Sequence, residues 1–308
     1  YMAVYSIIQK SQLEGTHRLD AEYYQPEYLS LISKIKSQKS KLWRDIEGKF
    51  ITGPFGSEFN VENYISDGKF RYVRGKDVKE FFLLDNDNVY IPEKDFKRLN
   101  KYSLQEGDIL VSVVGTLGNV AIVDDLILPA IFSCKSTVFR TKAINPYYFL
   151  AYLNSNYGKK LLERSVRGAV QTGLNIDDLR DLLIFIPPLK DQEEIGEIIV
   201  KSKSELQNSK FLYSQAENLL LEELGLKGFK IGDNLSYTVN LSDVKSSHRA
   251  DAEYFQPKYK AVMDKIRKHD NKSIEELSGL VGHATQSSYD EAGDIAVLAQ
   301  KHMKLNLT

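Results

Sequence analysis

Asp85, Asp87 and Asn88 set three oxygen-bearing side chains within four residues, a density suited to a calcium loop. Such a loop also needs an oxygen ligand at its fifth position, glycine at its sixth and glutamate at its twelfth. This chain has Val89, Tyr90 and Phe96 there, so a surface turn is expected. His17, His248, His269, His283 and His302 never pair at metal-ligand spacing, and no metal site is expected. The single cysteine, Cys134, rules out an intrachain disulfide and a cysteine-rich zinc site. No serine, cysteine or carboxylate lies in a recognisable catalytic motif, and catalysis by this chain is not expected. Positive charge does concentrate. Lys34, Lys36, Lys39, Lys41 and Arg44 form one run, and Lys159, Lys160, Arg164 and Arg167 form another, against a formal net charge of −1. Each run suits a nucleic-acid backbone and suits a solvated helix face about equally well.

Asn145-Pro146-Tyr147-Tyr148 resembles the Asn-Pro-Pro-Tyr signature with which amino-methyltransferases hold a target base, departing at the third position. That chemistry needs a glycine-rich strand-to-helix loop for S-adenosylmethionine. Gly115-Thr116-Leu117-Gly118 is flanked by strand-like runs on both sides instead. The motif therefore reads as a helix N-cap with proline in the first turn.

The elements that position these residues follow from spacing. Tyr28, Leu31, Ile32 and Ile35 recur at helical intervals after Pro26. Gly53, Pro54 and Gly56 force a turn that presents Phe55 and Ser57. From Phe70 to Ile131 short β-like runs alternate with turn residues. Helices resume at Pro146 and after Gly158, then a glycine-punctuated loop and the strand-like run 182–186 lead to Pro187-Pro188. Beyond the prolines, Ile195, Ile199, Ser202, Leu206, Ser209, Tyr213, Ala216 and Leu220 alternate in steps of four and three, a seam on one long helix that Gly225 and Gly228 close. At 1.5 Å per residue it spans about 50 Å, the dimension of a strut.

On either side of this strut the chain repeats itself. HRLDAEYYQPEY (residues 17–28) returns as HRADAEYFQPKY (residues 248–259) at a constant offset of 231 residues. So long a period signals a duplicated domain. The expected divisions are a first domain at 1–186, the strut at 187–226, the repeated segment at 227–277 and the start of a second domain at 278–308. A length of 308 residues with 42% hydrophobic and 27% charged residues suits about two domains. No run of 18 apolar residues and no signal-peptide pattern occurs, so a cytoplasmic setting without a membrane is expected.

Four segments taken together, GPFGS (53–57), FRYVRGKDV (70–78), LQEGDILVSVVGTLGNVAIV (104–123) and QTGLNIDDLRDLLIFIPPLKDQEEI (171–195), resemble the specificity subunit of type I restriction-modification systems. The resemblance implies a mixed α/β (α+β) target recognition domain with a twisted mixed or antiparallel sheet, followed by a spacer helix of antiparallel coiled-coil type. It implies double-stranded DNA, modification (methyltransferase) subunits and a restriction subunit as partners. The chain itself then needs no cofactor, since S-adenosylmethionine and ATP are used by the partners. Candidate DNA-proximal residues are Arg71, Arg74 and Lys76 near a strand end, Lys135 and Ser136, Arg167 and Gln171 in the glycine loop, and Ser57; exposed polar residues without a role are an equal alternative for each. Candidate spacer-packing residues are Ile195, Ile199, Leu206, Tyr213 and Leu220. Two other readings stay open: the specificity region of a fused type IIG restriction-methylation enzyme, and a half-subunit that homodimerises through its strut as an assembly scaffold.

Overall fold

The computed structural model describes residues 5–16, 18–55, 58–168, 172–230 and 236–279. Two compact units are present, Tyr1–Lys203 and Ser204–Thr308. In the first, α1 (Lys10–Thr16) and α2 (Pro26–Lys36) precede the strands β1 (Ser40–Leu42), β2 (Lys49–Thr52), β3 (Phe70–Val73), β4 (Phe81–Phe82) and β5 (Tyr90–Ile91). After α3 (Glu93–Arg98) come β6 (Ile109–Ser112), β7 (Val120–Ile122), β8 (Ala130–Phe132) and β9 (Ser136–Arg140). The unit closes with α4 (Pro146–Asn154), α5 (Asn156–Ser165), α6 (Ile176–Arg180), β10 (Leu183–Phe185) and the start of α7 (Leu189–Glu223).

The expected mixed α+β architecture with a long helix is present. A five-stranded mixed sheet has the order β2-β9-β6-β7-β4, a three-stranded sheet the order β5-β3-β8, and β1 pairs with β10. Strand β9 sits between β2 and β6, with Thr52 opposite Thr137 and Ser112 opposite Ser136. Neither β2 nor β9 stood out in the sequence, because their polar threonines, serine and end charges mask the apolar alternation. The main core lies between this sheet and the helices. Trp43 is fully buried with its ring centroid 5.0 Å from Phe149 and 5.3 Å from Phe139, both edge-on. Leu31 and Ile35 of α2, Phe149 and Leu153 of α4, and Leu161 of α5 fill the same cluster.

Asn145 caps α4: its Oδ1 accepts from the backbone N–H groups of Tyr147 (3.0 Å) and Tyr148 (3.1 Å). The same residue anchors α7. The Asn145 N–H donates to Gln192 Oε1 at 3.1 Å, the buried Gln192 amide donates to Pro187 O at 2.9 Å, and a Cβ on Gly196 would lie 2.9 Å from Asn145 Oδ1. Glycine at 196 therefore lets the helix approach the cap. Ile195 and Ile199 pack against the main core, and Lys203 pairs with Asp124 at 2.8 Å. Two of the five residues read as spacer packing are thus engaged by the first unit. The reason is that α7 docks its opening turns through Gln192 and Gly196, which no apolar pattern marks.

In the second unit α7 continues with Leu206, Tyr213 and Leu220 at 46%, 45% and 59% exposure. It ends at Glu223, Gly225 with a φ of +62° turns the chain away, and Leu226 N–H returns to Leu221 O at 2.8 Å. Helices α8 (Leu241–Ser247), α9 (Pro257–Ile266) and α10 (Ile274–Leu277) follow. Lys265 of α9 donates to Gly225 O at 2.6 Å and lies 4.5 Å from the Phe229 ring centroid.

Candidate nucleic-acid interface

Strand directions bring several loops to one end of the first unit. Within the five-stranded sheet β2 and β6 finish where β4, β7 and β9 begin, as its pairings require, and the short link from Phe132 to Ser136 brings the ends of β8 and its parallel neighbour β3 to the same place. Close packing joins these loops. A Cβ on Gly53 would meet Ser133 backbone at 2.5 Å, and one on Gly75 would meet Lys135 Cβ at 2.8 Å. Val113 N–H donates to Lys135 O at 2.9 Å, Leu174 N–H to Val113 O at 3.1 Å, and Arg167 exchanges both backbone bonds with Gly173 at 2.9 Å. Arg74, Lys76, Lys135 and Arg167 therefore share one end, although up to 93 residues separate Arg74 from Arg167 in sequence.

The side chains differ in availability. Arg74 forks onto buried Asp77 at 3.0 and 2.9 Å, which raises the guanidinium pKa further and closes a short helical turn over Gly75–Asp77. Lys76 is exposed and lies 2.7 Å from Asp87 Oδ2. Arg167 forks onto buried Asp178 at 2.7 Å through both nitrogens, which likewise raises its pKa. Lys135 is exposed and makes no ion pair among the described residues. Arg71 and Ser136 are buried. Arg71 spends its donors on Leu84 O and on Asp85 at 3.3 Å, while Ser136 Oγ has no protein partner among the described residues. Burial takes both away from the surface as it stands. Ser57 and Gln171 lie outside the described residues.

Sequence reasoning passed over two cations. Lys79, exposed and without an ion pair among the described residues, sits on the loop between β3 and β4, one residue beyond buried Val78. Its place at the end of the 70–78 run was the available signal. Arg18 is buried, forks onto Asp20 through Nε at 2.8 Å, donates to Ser165 O (3.2 Å) and Val166 O (2.9 Å), and lies 4.0 Å from Asp178. It stands behind Arg167 and holds the end of α5. The repetition of its motif was the signal there.

Among the described residues no group of three histidine, cysteine, aspartate or glutamate side chains could hold a metal ion, and no helix is long and apolar enough to cross a membrane. The end carries positive groups on loops at the ends of the strands, an arrangement that can contact phosphate and present side chains to a groove.

A family model described as type I restriction modification DNA specificity domain matches residues 54–215, just over half of the chain. Among solved structures, the type I restriction-modification S subunit from M. genitalium is similar at 17% identity over 60% of this chain and 44% of that one, with a TM-score of 0.46. The HsdS subunit from Thermoanaerobacter tengcongensis matches at 17% identity over 63% of this chain and 48% of that one, TM-score 0.39. The type IIG restriction endonuclease BpuSI matches at 10% identity over 62% of this chain and 30% of that one, TM-score 0.45. The chain spans about half the length, or less, of the structures it matches.

Proposed function

The chain belongs to the type I restriction-modification DNA specificity family, and from that membership we propose that it is a DNA-reading subunit whose first unit recognises one half of a bipartite double-stranded target. The observation that carries this reading is the shared loop end, where Lys76, Lys79 and Lys135 are exposed beside the ion-paired Arg74 and Arg167. Lysine contacts to phosphate supply affinity and position, and loop side chains reaching base edges supply specificity. Among the residues first singled out, Lys76 and Lys135 are the phosphate contacts in this reading. Arg74 and Arg167 become supports of the loops that carry them, and Ser57 and Gln171 keep their assignment as DNA-proximal residues.

In this reading residues 1–186 form the recognition domain, 187–226 the spacer, 227–277 the repeated segment and 278–308 the start of a second recognition domain. The subunit is not itself the enzyme. Methylation and cleavage fall to modification (methyltransferase) and restriction subunits, which bind S-adenosylmethionine and ATP, and the setting is the cytoplasm. The apolar residues exposed on α7 beyond Lys203 support pairing with another helix, including that of a second copy of this chain.

Lys135→Glu in the full chain is expected to weaken binding of a fluorescein-labelled mixed-sequence duplex by about tenfold at low salt, and to lower the slope of log K against log salt by about one. Unchanged affinity would remove the carrying observation. Charge reversal at Arg74 or Arg167 is a poorer test, since glutamate there faces the buried Asp77 or Asp178 and disturbs the fold as well.

A further inference from the structure

The acidic turn that fails as a calcium loop lies against Lys76, a proposed phosphate contact, and against Arg74, the support of its loop. Asp87 Oδ2 lies 2.7 Å from Lys76 Nζ and 3.6 Å from Arg74 Nη1, and Arg74 Nη2 also donates to the Asp87 carbonyl. Two residues earlier, Asp85 accepts from Arg71 at 3.3 Å and from the Asn88 amide at 2.9 Å, which ties the turn to β3. Asp87 adopts a φ of +51°, in the left-handed region that aspartate and asparagine tolerate better than most residues.

Arg74 therefore has two acids of different kinds. Asp77 is buried and closes the turn from within, so it is a fixed part of the fold. Asp87 is mostly exposed, with its carboxylate held below the ordinary value chiefly by the hydrogen bond from Lys76. Exposed pairs of this type are weak and exchange readily. A DNA phosphate presents the same donors with another anionic acceptor, and its neutralisation releases condensed counterions, a gain that a lone carboxylate does not offer.

We propose that Asp87 is an electrostatic latch: braced by the outer side of Arg74, it occupies Lys76 as a stand-in for a DNA phosphate, and a backbone phosphate displaces it from Lys76 on binding. The latch rests on the reading of this end as the DNA interface. It keeps the two cations neutralised and oriented in the free protein, and every phosphate contact by Lys76 begins with the loss of its contact to Asp87. Asp87 is thus a positioning residue acting through Lys76.

The test is a double-mutant cycle on the full chain with Asp87→Asn, Lys76→Gln and the pair, read by anisotropy on a labelled mixed-sequence duplex of about 30 base pairs. Asparagine suits the left-handed backbone, so thermal melting should stay at the wild-type midpoint. Asp87→Asn is expected to tighten binding about fivefold, and the gain should fall below about twofold in the Lys76→Gln background. No tightening overturns the latch. A gain of equal size without Lys76 overturns it too, since Asp87 would then act only by repelling DNA through space. Lys135→Glu, run in parallel, separates the two ideas. If it weakens binding while Asp87→Asn changes nothing, the latch alone fails; if neither matters, the interface itself is misplaced.

Discussion

Residues 18–36 and residues 249–267 share a motif and a local geometry. Arg18 forks onto Asp20 with Nε 2.8 Å from Oδ1, and Arg249 onto Asp251 with the same pair at 2.7 Å. Tyr23 and Tyr24 meet edge to face at 5.0 Å, and Tyr254 and Phe255 do so at 4.9 Å. Each arginine lies over the first ring of its pair, at 4.5 and 4.6 Å, and Pro26 and Pro257 each open a helix. The settings differ. The Arg18 side chain is 5% exposed and that of Arg249 54%. In the first copy the end of α5 offers the Ser165 and Val166 carbonyls, Arg164 lies 3.4 Å over the Tyr23 ring, and α2 buries Tyr28, Leu31 and Ile35. No residue of α9 is buried. A short motif can specify its own hydrogen bonds, but burial is supplied by a surface 147 residues away in sequence. Charge marks the difference as well: Glu27 pairs with Lys160 in the first copy, and the corresponding residue in the second is Lys258.

The comparison can be broken first at its apolar positions. Leu31→Ala is expected to destabilise the first unit by about 2–5 kcal/mol through lost burial and a cavity, whereas Val262→Ala at the matching position should cost under about 1 kcal/mol. Trp43, the only tryptophan, is fully buried in the first unit's core, so its fluorescence in a urea titration follows Leu31→Ala, while hydrogen exchange of the α9 amides at the same urea concentrations follows Val262→Ala. Equal shifts from both variants would mean that the second copy is as well packed as the first. A smaller effect should come from the arginines. Arg18→Ala strands the buried Ser165 carbonyl and the half-buried Val166 carbonyl and removes a cation from the side of Asp178, a loss of about 2–4 kcal/mol in the Trp43 transition, while Arg249→Ala should leave that transition in place.

That contrast also explains what the sequence could yield. The helix starts at Pro26, Pro146 and Leu189, the cap at Asn145 and the stop at Gly225 were legible because each depends on a few adjacent residues. Strands β2 and β9 were not, since a strand such as Ser136–Arg140 is stabilised by neighbours on both sides rather than by its own pattern. The seam on α7 was read as one surface, yet Ile195 and Ile199 serve the first unit's core, and the residues that dock the helix, Gln192 and Gly196, carry no apolar signal. At the candidate interface, a strand-end position suggested Arg71 and Arg74, and the glycine-punctuated loop suggested Arg167. Their acids, Asp85, Asp77 and Asp178, settle how each is used, and no spacing rule links Arg71 to Asp85 or Arg167 to Asp178.

The smallest expected effect tests whether the local device is really the same in both copies. Asp20 and Asp251 are each held below the ordinary carboxylate value of 3.8, in both cases chiefly by the hydrogen bond from the arginine two residues earlier. Because the folded value is depressed, the fork stabilises the fold above the unfolded value and the contribution is lost as pH falls through the folded one. Only the Asp20 fork is wired into a core, so acidification below about pH 4 should loosen the first unit through Asp20 and leave the second copy's surroundings unaffected. Carboxyl-carbon NMR titration should show both aspartates low, Arg18→Gln returning Asp20 alone towards the ordinary value and Arg249→Gln returning Asp251 alone. If Asp251 titrated normally in the unaltered chain, burial by α5 rather than the motif would be forming the fork. The likeness between the copies would then be a property of the first unit's packing, and the repeated sequence would no longer account for the shared geometry.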